Sequence, residues 1–281
     1  MGGSDPRGTR LTGAYSELPM ATDIVDDRFF AALHLRAMRL AGIAHDSARE
    51  HDAFRTGTLE TLLAGRLQGD ATIDAVLEKG DHGIGSTAQP RGELIIVDGE
   101  AYGAAADGRA SRVAADTTIP FAVVCRFSVL AHSPLRRPLG LRTLRDVVDA
   151  MAPGAPSVLA VRLDGDFTEL RLAGAPAPTS ISPPLGDAAA QQTEWSLPRA
   201  SGTVVGFRFP DRVAGVEVPS YHLHFLADDR THGGHVIDLT MSEGELRVDG
   251  RDELHVELPE HLRIGTPRLE DRAATPSTEG G

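Results

Sequence analysis

The spacing of apolar residues changes several times along the chain and predicts both helices and strands. Apolar residues recur every three or four positions over 29–43, 59–67, 73–77 and 144–151, which predicts four helices. Asp26 and Asp27 precede the first of these segments, where acidic side chains favour the start of a helix.

Other segments have the alternating or continuous apolar pattern of β-strands. The Asp98-Gly99 pair between 93–97 and 100–102 predicts a β-hairpin. Further strands are predicted at 121–127, 157–163 and 167–172, and the region 202–258 is strand-rich. Ala, Pro, Ser and Gln dominate residues 173–200, which predicts a long loop.

Composition and charge narrow the classes of function. The chain has 281 residues and a formal net charge of −12, which argues against a nucleic-acid binder that depends on a basic face. No stretch approaches the ~20 apolar residues that cross a membrane, and the first residues lack the pattern of a signal peptide. We therefore expect a cytoplasmic protein with no membrane and no nucleic-acid partner.

Histidines carry the clearest chemical signal in the sequence. Cys125 is the sole cysteine, so a metal site would have to use His, Asp and Glu. His222 and His224 are two positions apart in a predicted strand and therefore point to the same face. A turn and two glycines follow, and a hairpin would bring His235 alongside them. Three imidazoles on one face are typical of a catalytic zinc site with open positions.

A chance cluster of surface histidines is the alternative explanation of this pattern. A His-x-His pair alone would favour that alternative, but the third histidine after a hairpin-sized gap favours a metal site. His232 could compete as a ligand, but it lies in the predicted turn, and we expect it at the rim or in solvent. The other seven histidines have no such spacing.

Several motifs together resemble the acetolactate decarboxylase family over residues 50–260. They are Gly57-Thr-Leu-Glu-Thr-Leu-Leu, Lys79-Gly-Asp-His-Gly-Ile-Gly-Ser86, Gly92-Glu-Leu-Ile, Asp107-Gly108, Pro120-Phe-Ala122, Gly202-Thr-Val-Val-Gly-Phe, Tyr221-His-Leu-His-Phe-Leu and Gly233-Gly-His-Val236. The motifs occur in the order expected of that family.

The resemblance implies an α+β fold with two related β-rich, mixed-sheet halves, a metal site in the cleft between them, and usually a homodimer. With it we expect four regions. They are a disordered segment 1–25, an N-terminal α+β domain 26–165, a β-rich metal-binding domain 166–262 and a tail 263–281.

The resemblance also implies a zinc-dependent carboxy-lyase. Such an enzyme converts 2-acetolactate to acetoin and CO2 through a metal-stabilised enediolate, in the pathway that branches from pyruvate towards acetoin and butanediol. By matching motifs, His222, His224 and His235 would bind zinc. Glu93, Glu279 in the tail motif, and Ser86, where the family usually has a threonine, would be active-site residues.

The chain departs from the family pattern near the expected substrate pocket. Ala173 stands where the family has an arginine, and Arg171, on the same strand face, is the candidate to hold the substrate carboxylate. His82 replaces the usual phenylalanine. A decarboxylase of another 2-hydroxy-3-keto acid is therefore an alternative.

Two further classes of function remain open from the sequence. One is a non-catalytic metal-binding or regulatory module of the plant-and-prokaryote conserved domain type, which has a similar histidine pattern. The other is a hydrolase that uses a zinc-bound hydroxide.

Overall fold

The protein is described by a computed structural model that covers residues 36–39, 52–56, 71–87, 92–152, 158–174, 192–209, 220–251 and 253–258. All of these residues belong to one compact unit, 27–262. The segment 1–25, the predicted helix 59–67, the parts 29–35 and 40–43 of the first predicted helix, the tail 263–281 and Glu279 with it lie outside the described residues.

Strands make up most of the described chain. In chain order they are β1 (Arg36–Arg39), β2 (Asp52–Thr56), β3 (Ala71–Thr72), β4 (His82–Thr87), β5 (Gly92–Val97), β6 (Glu100–Ala104), β7 (Ala110–Arg112), β8 (Thr118–Ile119), β9 (Phe121–Cys125), β10 (Ala131–Leu135), β11 (Leu139–Gly140), β12 (Val158–Gly174), β13 (Thr193–Leu197), β14 (Ala200–Phe209), β15 (Ser220–Ala227), β16 (Gly233–Arg251) and β17 (Glu253–Leu258). The two helices of the described residues are α1 (Ile73–Leu77) and α2 (Leu141–Met151).

Two large sheets and one short ribbon contain these strands. The first sheet has the order β1-β17-β2-β9-β4-β5-β6-β7, and β17 pairs in parallel with both β1 and β2. The second sheet has the order β10-β16-β15-β14-β12-β13, is antiparallel throughout, and includes β11 at β16. Strands β3 and β8 form the ribbon.

The two sheets pack face to face over an apolar core. Its residues include Ile84 and Ile95 from the first sheet and Val205, Phe207 and Leu226 from the second. A second core separates the other face of the second sheet from α2, and a third lies between the first sheet and α1. Strands β12, β14, β15 and β16 of the second sheet each pair with two of the others, so these four strands close into a ring and do not form one flat layer.

The sequence predicted many of these elements correctly. The hairpin at Asp98-Gly99 is confirmed, and both turn residues have the positive φ, 53° and 74°, that such two-residue turns require. Helix α1 matches the predicted 73–77, and α2 begins three residues before the predicted 144.

Three predictions were wrong, each for a tertiary reason. Residues Arg36–Arg39, predicted as part of a helix, form a strand that pairs with β17. The predicted strands 157–163 and 167–172 are one strand, β12, because β16 pairs with it from Val158 to Ala173 and bulges absorb the irregular register. The predicted loop 173–200 also contains β13, which pairs with the end of β12.

The described chain is thus mostly β-sheet with two helices. The related halves and the domain boundaries at 165 and 262 stay predictions. The chain does not complete the first sheet before it enters the second. Strands β10–β16 form the second sheet, and β17 then pairs in the first.

Candidate metal centre

Strand β15 presents His222 and His224 towards the first sheet. The alternation of side chains places Leu223 and Phe225 on the opposite face, in the core against α2. The histidines share their face with Leu226, which belongs to the core between the sheets. The local apolar alternation therefore orients both imidazoles inwards.

The turn after β15 returns the chain so that His235 of β16 lies directly opposite His224. Gly233 and Gly234 begin β16 where the backbone is crowded. A Cβ atom on Gly233 would lie 2.6 Å from the Phe225 carbonyl oxygen and 2.8 Å from Cδ1 of Ile95. The absence of side chains at this point permits the close approach of the two strands and the first sheet.

The three imidazoles converge on one point, as predicted. Their potential ligand atoms lie within 4.8 Å of one another, and Nε2 of His224 is 3.2 Å from Nε2 of His222. Nδ1–H of His224 donates to the carbonyl oxygen of Leu94 at 2.8 Å, which leaves Nε2 of His224 as a lone-pair donor for a metal.

Burial keeps two of the imidazoles neutral, the form that binds metals. Desolvation, and then the neighbouring His222 and His235, hold the pKa of His224 well below its usual value. Desolvation, and then His222, lower the pKa of His235 to about 3. Protonation of His224 and His235 therefore does not compete with a metal near neutral pH.

Glu93 reaches the histidines from the first sheet, and Ser86 lies beside it. Oε2 of Glu93 lies 3.3 Å from Nε2 of His224, and the Glu93 side chain is largely buried. Ser86 is directly opposite Glu93 in the β4–β5 pair, so both side chains share a face. The Ser86 hydroxyl is buried and has no hydrogen-bond partner among the described residues.

These contacts fit a metal cation. The bare Nε2 of His224 faces both an imidazole nitrogen and a carboxylate oxygen, so lone pairs point at one another unless a cation or a proton lies between them. Three imidazoles beside a carboxylate suit a transition metal ion with open positions. His232 is not part of this group. It is exposed in the turn, where its Nδ1 contacts the hydroxyl of Thr231.

Arg171 and Ala173 occupy the second sheet beside the third histidine. Ala173 is fully buried and directly opposite His235. Arg171 is half-exposed, and its Nη1 lies 3.8 Å from Oε2 of Glu194, which is directly opposite Ala173 on β13. Glu194 was missed in the sequence analysis because a loop was predicted at β13. The Leu94 carbonyl was missed because the side-chain pattern does not show where a backbone group lies.

Comparison with known proteins identifies the family. A model of the alpha-acetolactate decarboxylase family matches residues 53–270, most of the chain. The chain belongs to the alpha-acetolactate decarboxylase family. The family consists of carboxy-lyases, so its members are enzymes.

Relatives in this decarboxylase family match over most of their length. The alpha-acetolactate decarboxylase of Methanosarcina mazei is 35% identical over 206 residues, 73% of this chain and 72% of that protein. The enzyme of Methylococcus capsulatus is 32% identical over 237 residues, 84% of this chain and 91% of that protein.

A solved structure of the family has the same fold. The crystal structure of alpha-acetolactate decarboxylase from Bacillus subtilis strain 168 superposes with a TM-score of 0.71 at 26% identity, covering 77% of this chain and 94% of that one. Neither helix of the described residues has the length and apolar character needed to cross a bilayer.

Proposed function

We propose that this protein catalyses the zinc-dependent decarboxylation of 2-acetolactate to acetoin and CO2. The observation that carries the proposal is the convergence of His222, His224 and His235 beside Glu93 in a chain of the alpha-acetolactate decarboxylase family. The substrate is a small 2-hydroxy-3-keto acid, in keeping with the names of the relatives.

The three histidines would hold the zinc ion. When bound, zinc supplies the positive charge that stabilises negative charge developing on the substrate oxygens as CO2 leaves. The hydrogen bond from His224 to Leu94 keeps Nε2 directed at this position throughout the reaction. Burial between the two sheets excludes water and strengthens each electrostatic contact.

Glu93 and Ser86 are placed to act on the substrate itself. Loss of CO2 leaves a carbon that must receive a proton on one face, and the Glu93 carboxyl is the acid closest to His224 among the described contacts. The buried hydroxyl of Ser86 is available to donate to a substrate oxygen. Glu279 is proposed as a second carboxyl from the tail.

Arg171 is proposed to supply the cation for the substrate carboxylate in place of the arginine that Ala173 replaces. It lies on the same face of β12 as Ala173, two positions away. Its contact with Glu194 joins two half-exposed side chains, so an anionic substrate can compete for the guanidinium at little cost.

An assay for acetoin together with metal analysis of the same preparation tests the proposed function. Acetoin should form above the spontaneous rate, chelation should abolish the activity, and zinc should restore it. A zinc-loaded protein that forms no acetoin, but releases CO2 from another 2-hydroxy-3-keto acid, would assign the substrate differently.

The loss of the family arginine at Ala173 is the observation that favours such an alternative substrate. A protein that binds zinc but decarboxylates none of these acids would indicate a non-catalytic metal-binding module. We further propose a cytoplasmic homodimer that binds no nucleic acid. Sedimentation and a gel-shift assay at moderate salt test the dimer and the absence of nucleic-acid binding.

A further inference from the structure

Trp195 lies against the backbone of three glycines that come from separate parts of the chain. A Cβ atom on Gly108 would lie 2.6 Å from Cε2 of the indole, one on Gly234 would lie 2.8 Å from Cζ2, and one on Gly174 would lie 3.1 Å from Cη2. Real Cβ atoms do not lie within 3.0 Å of other heavy atoms, so a side chain at Gly108 or Gly234 would require the indole to move. The ring therefore occupies space that is available only because all three residues are glycines.

The indole supports β16 from the side opposite the metal centre. Trp195 is directly opposite Leu172, whose side chain lies in the core against α2, whereas Ala173 shares the face of His235. Gly234 precedes His235, so the two residues point to opposite faces of the sheet. The ring thus covers the backbone immediately before the ligand.

The same ring contacts the loop between β6 and β7 of the first sheet, which is hydrogen-bonded to the start of β16. The backbone N–H of Gly233 donates to the carbonyl oxygen of Gly108 at 3.0 Å, and that of Ala110 donates to Thr231 at 2.8 Å. Gly108 has a φ of +81° and lies under the indole. Trp195 therefore packs on one partner of this hydrogen bond, Gly108, and on Gly234, the residue next to the other partner.

Apolar contact, rather than hydrogen bonding, accounts for the position of Trp195. Its Nε1–H is buried and has no hydrogen-bond partner among the described residues. A flat apolar ring without the N–H group should therefore replace most of its effect, whereas a branched aliphatic side chain should not.

We propose that Trp195 is a positioning residue that fixes the backbone of Gly234 and, through it, the direction of the His235 imidazole. The inference rests on the proposed role of the three histidines as metal ligands. Two consecutive glycines leave the backbone before His235 with wide conformational freedom, and packing of the indole removes that freedom. Mutation of a group that orients a metal ligand typically lowers metal affinity by about 10–100-fold.

Binding of Co²⁺, with its visible absorption spectrum, tests this role independently of catalysis. We expect Trp195→Leu to weaken Co²⁺ binding about tenfold or more and to alter the spectrum, because the imidazole geometry changes. We expect Trp195→Phe to remain within about threefold of the wild type, with an unchanged spectrum. Leu197→Ala is the matched control, since Leu197 lies two positions along β13 and packs on the same core.

The outcomes separate this inference from the proposed function. Wild-type Co²⁺ affinity and spectrum in folded Trp195→Leu would overturn it, as would an equal loss in Leu197→Ala, which would indicate general destabilisation. If Trp195→Leu does not fold, Trp195→Met takes its place: weaker Co²⁺ binding and a shifted spectrum relative to Leu197→Ala support the role, and wild-type affinity and spectrum overturn it. Failure of the wild-type protein to bind Co²⁺ would instead contradict the proposed metal site.

Discussion

His224 on the second sheet donates its Nδ1–H to the backbone carbonyl of Leu94 on the first sheet, at 2.8 Å. The neighbouring residue on that strand, Glu93, places its carboxylate 3.3 Å from the other nitrogen of the same imidazole. One strand of the first sheet thus orients a candidate metal ligand through its backbone and supplies an acid through its side chain. The packing of the two sheets is therefore part of the site.

Replacing His224 by alanine should abolish metal binding and activity. The substitution removes one of three ligands and opens a cavity in a fully buried position. Metal content per chain and acetoin formation check the prediction. His132→Ala is the control, since His132 is exposed on β10 and lies outside the cluster. Full zinc content in folded His224→Ala would contradict the assignment.

Replacing Glu93 by glutamine should lower kcat by about 10²–10⁴-fold, the usual contribution of a general acid, while zinc content is retained. The amide keeps the shape of the side chain but cannot deliver a proton. Steady-state kinetics and metal analysis of one preparation distinguish the two effects. Glu169→Gln, at an exposed position on β12, should leave both unchanged. A wild-type kcat in Glu93→Gln would exclude Glu93 as the acid.

Substitutions in the Arg171–Glu194 pair should change KM in opposite directions. Arg171→Ala should raise KM about tenfold if the guanidinium binds the substrate carboxylate. Glu194→Gln should lower KM by less than about fivefold, because the half-exposed pair that it breaks contributes at most ~1 kcal/mol. Wild-type kinetics in Arg171→Ala would show that another group binds the carboxylate.

His82 should make the protein sensitive to acid. The ring is buried, stacks on Phe127 at 4.6 Å between centroids, and contacts Phe207 edge-on. Desolvation lowers the pKa of His82 from 6.5 to about 4. Between these values the unfolded chain binds a proton that the folded chain does not. The free energy of unfolding should therefore fall as the pH decreases from 6.5 to 4, by up to about 3 kcal/mol.

Denaturant unfolding at several pH values checks the contribution of His82. His82→Phe, which restores the residue usual in the family, should reduce the decrease in stability over this range. His132→Phe, at an exposed site, should retain the wild-type decrease. Parallel curves for the wild type and His82→Phe would show that His82 accepts its proton without disturbing the fold.

Local patterns were enough to predict much of the site. The His222-x-His224 alternation, the turn and the double glycine predicted the hairpin and the convergence of His235, since strand periodicity and turn chemistry act over a few residues. They failed for Arg36–Arg39, where pairing with the distant β17 overrides helical periodicity. They also failed for β13, where the alternating pair Trp195 and Leu197 stands at the end of a segment dominated by Ala, Pro, Ser and Gln, and where pairing with β12 makes the strand.

The sequence by itself determined the three imidazoles, their common face and the family of the chain. The tertiary structure decided which groups from elsewhere approach them: the carboxylate of Glu93, the carbonyl of Leu94, the buried Ala173 and the ring of Trp195. The physical reason is the distance along the chain over which each interaction acts. Alternation within a hairpin is fixed by local backbone geometry, whereas contacts between sheets depend on how apolar faces from distant segments pack together.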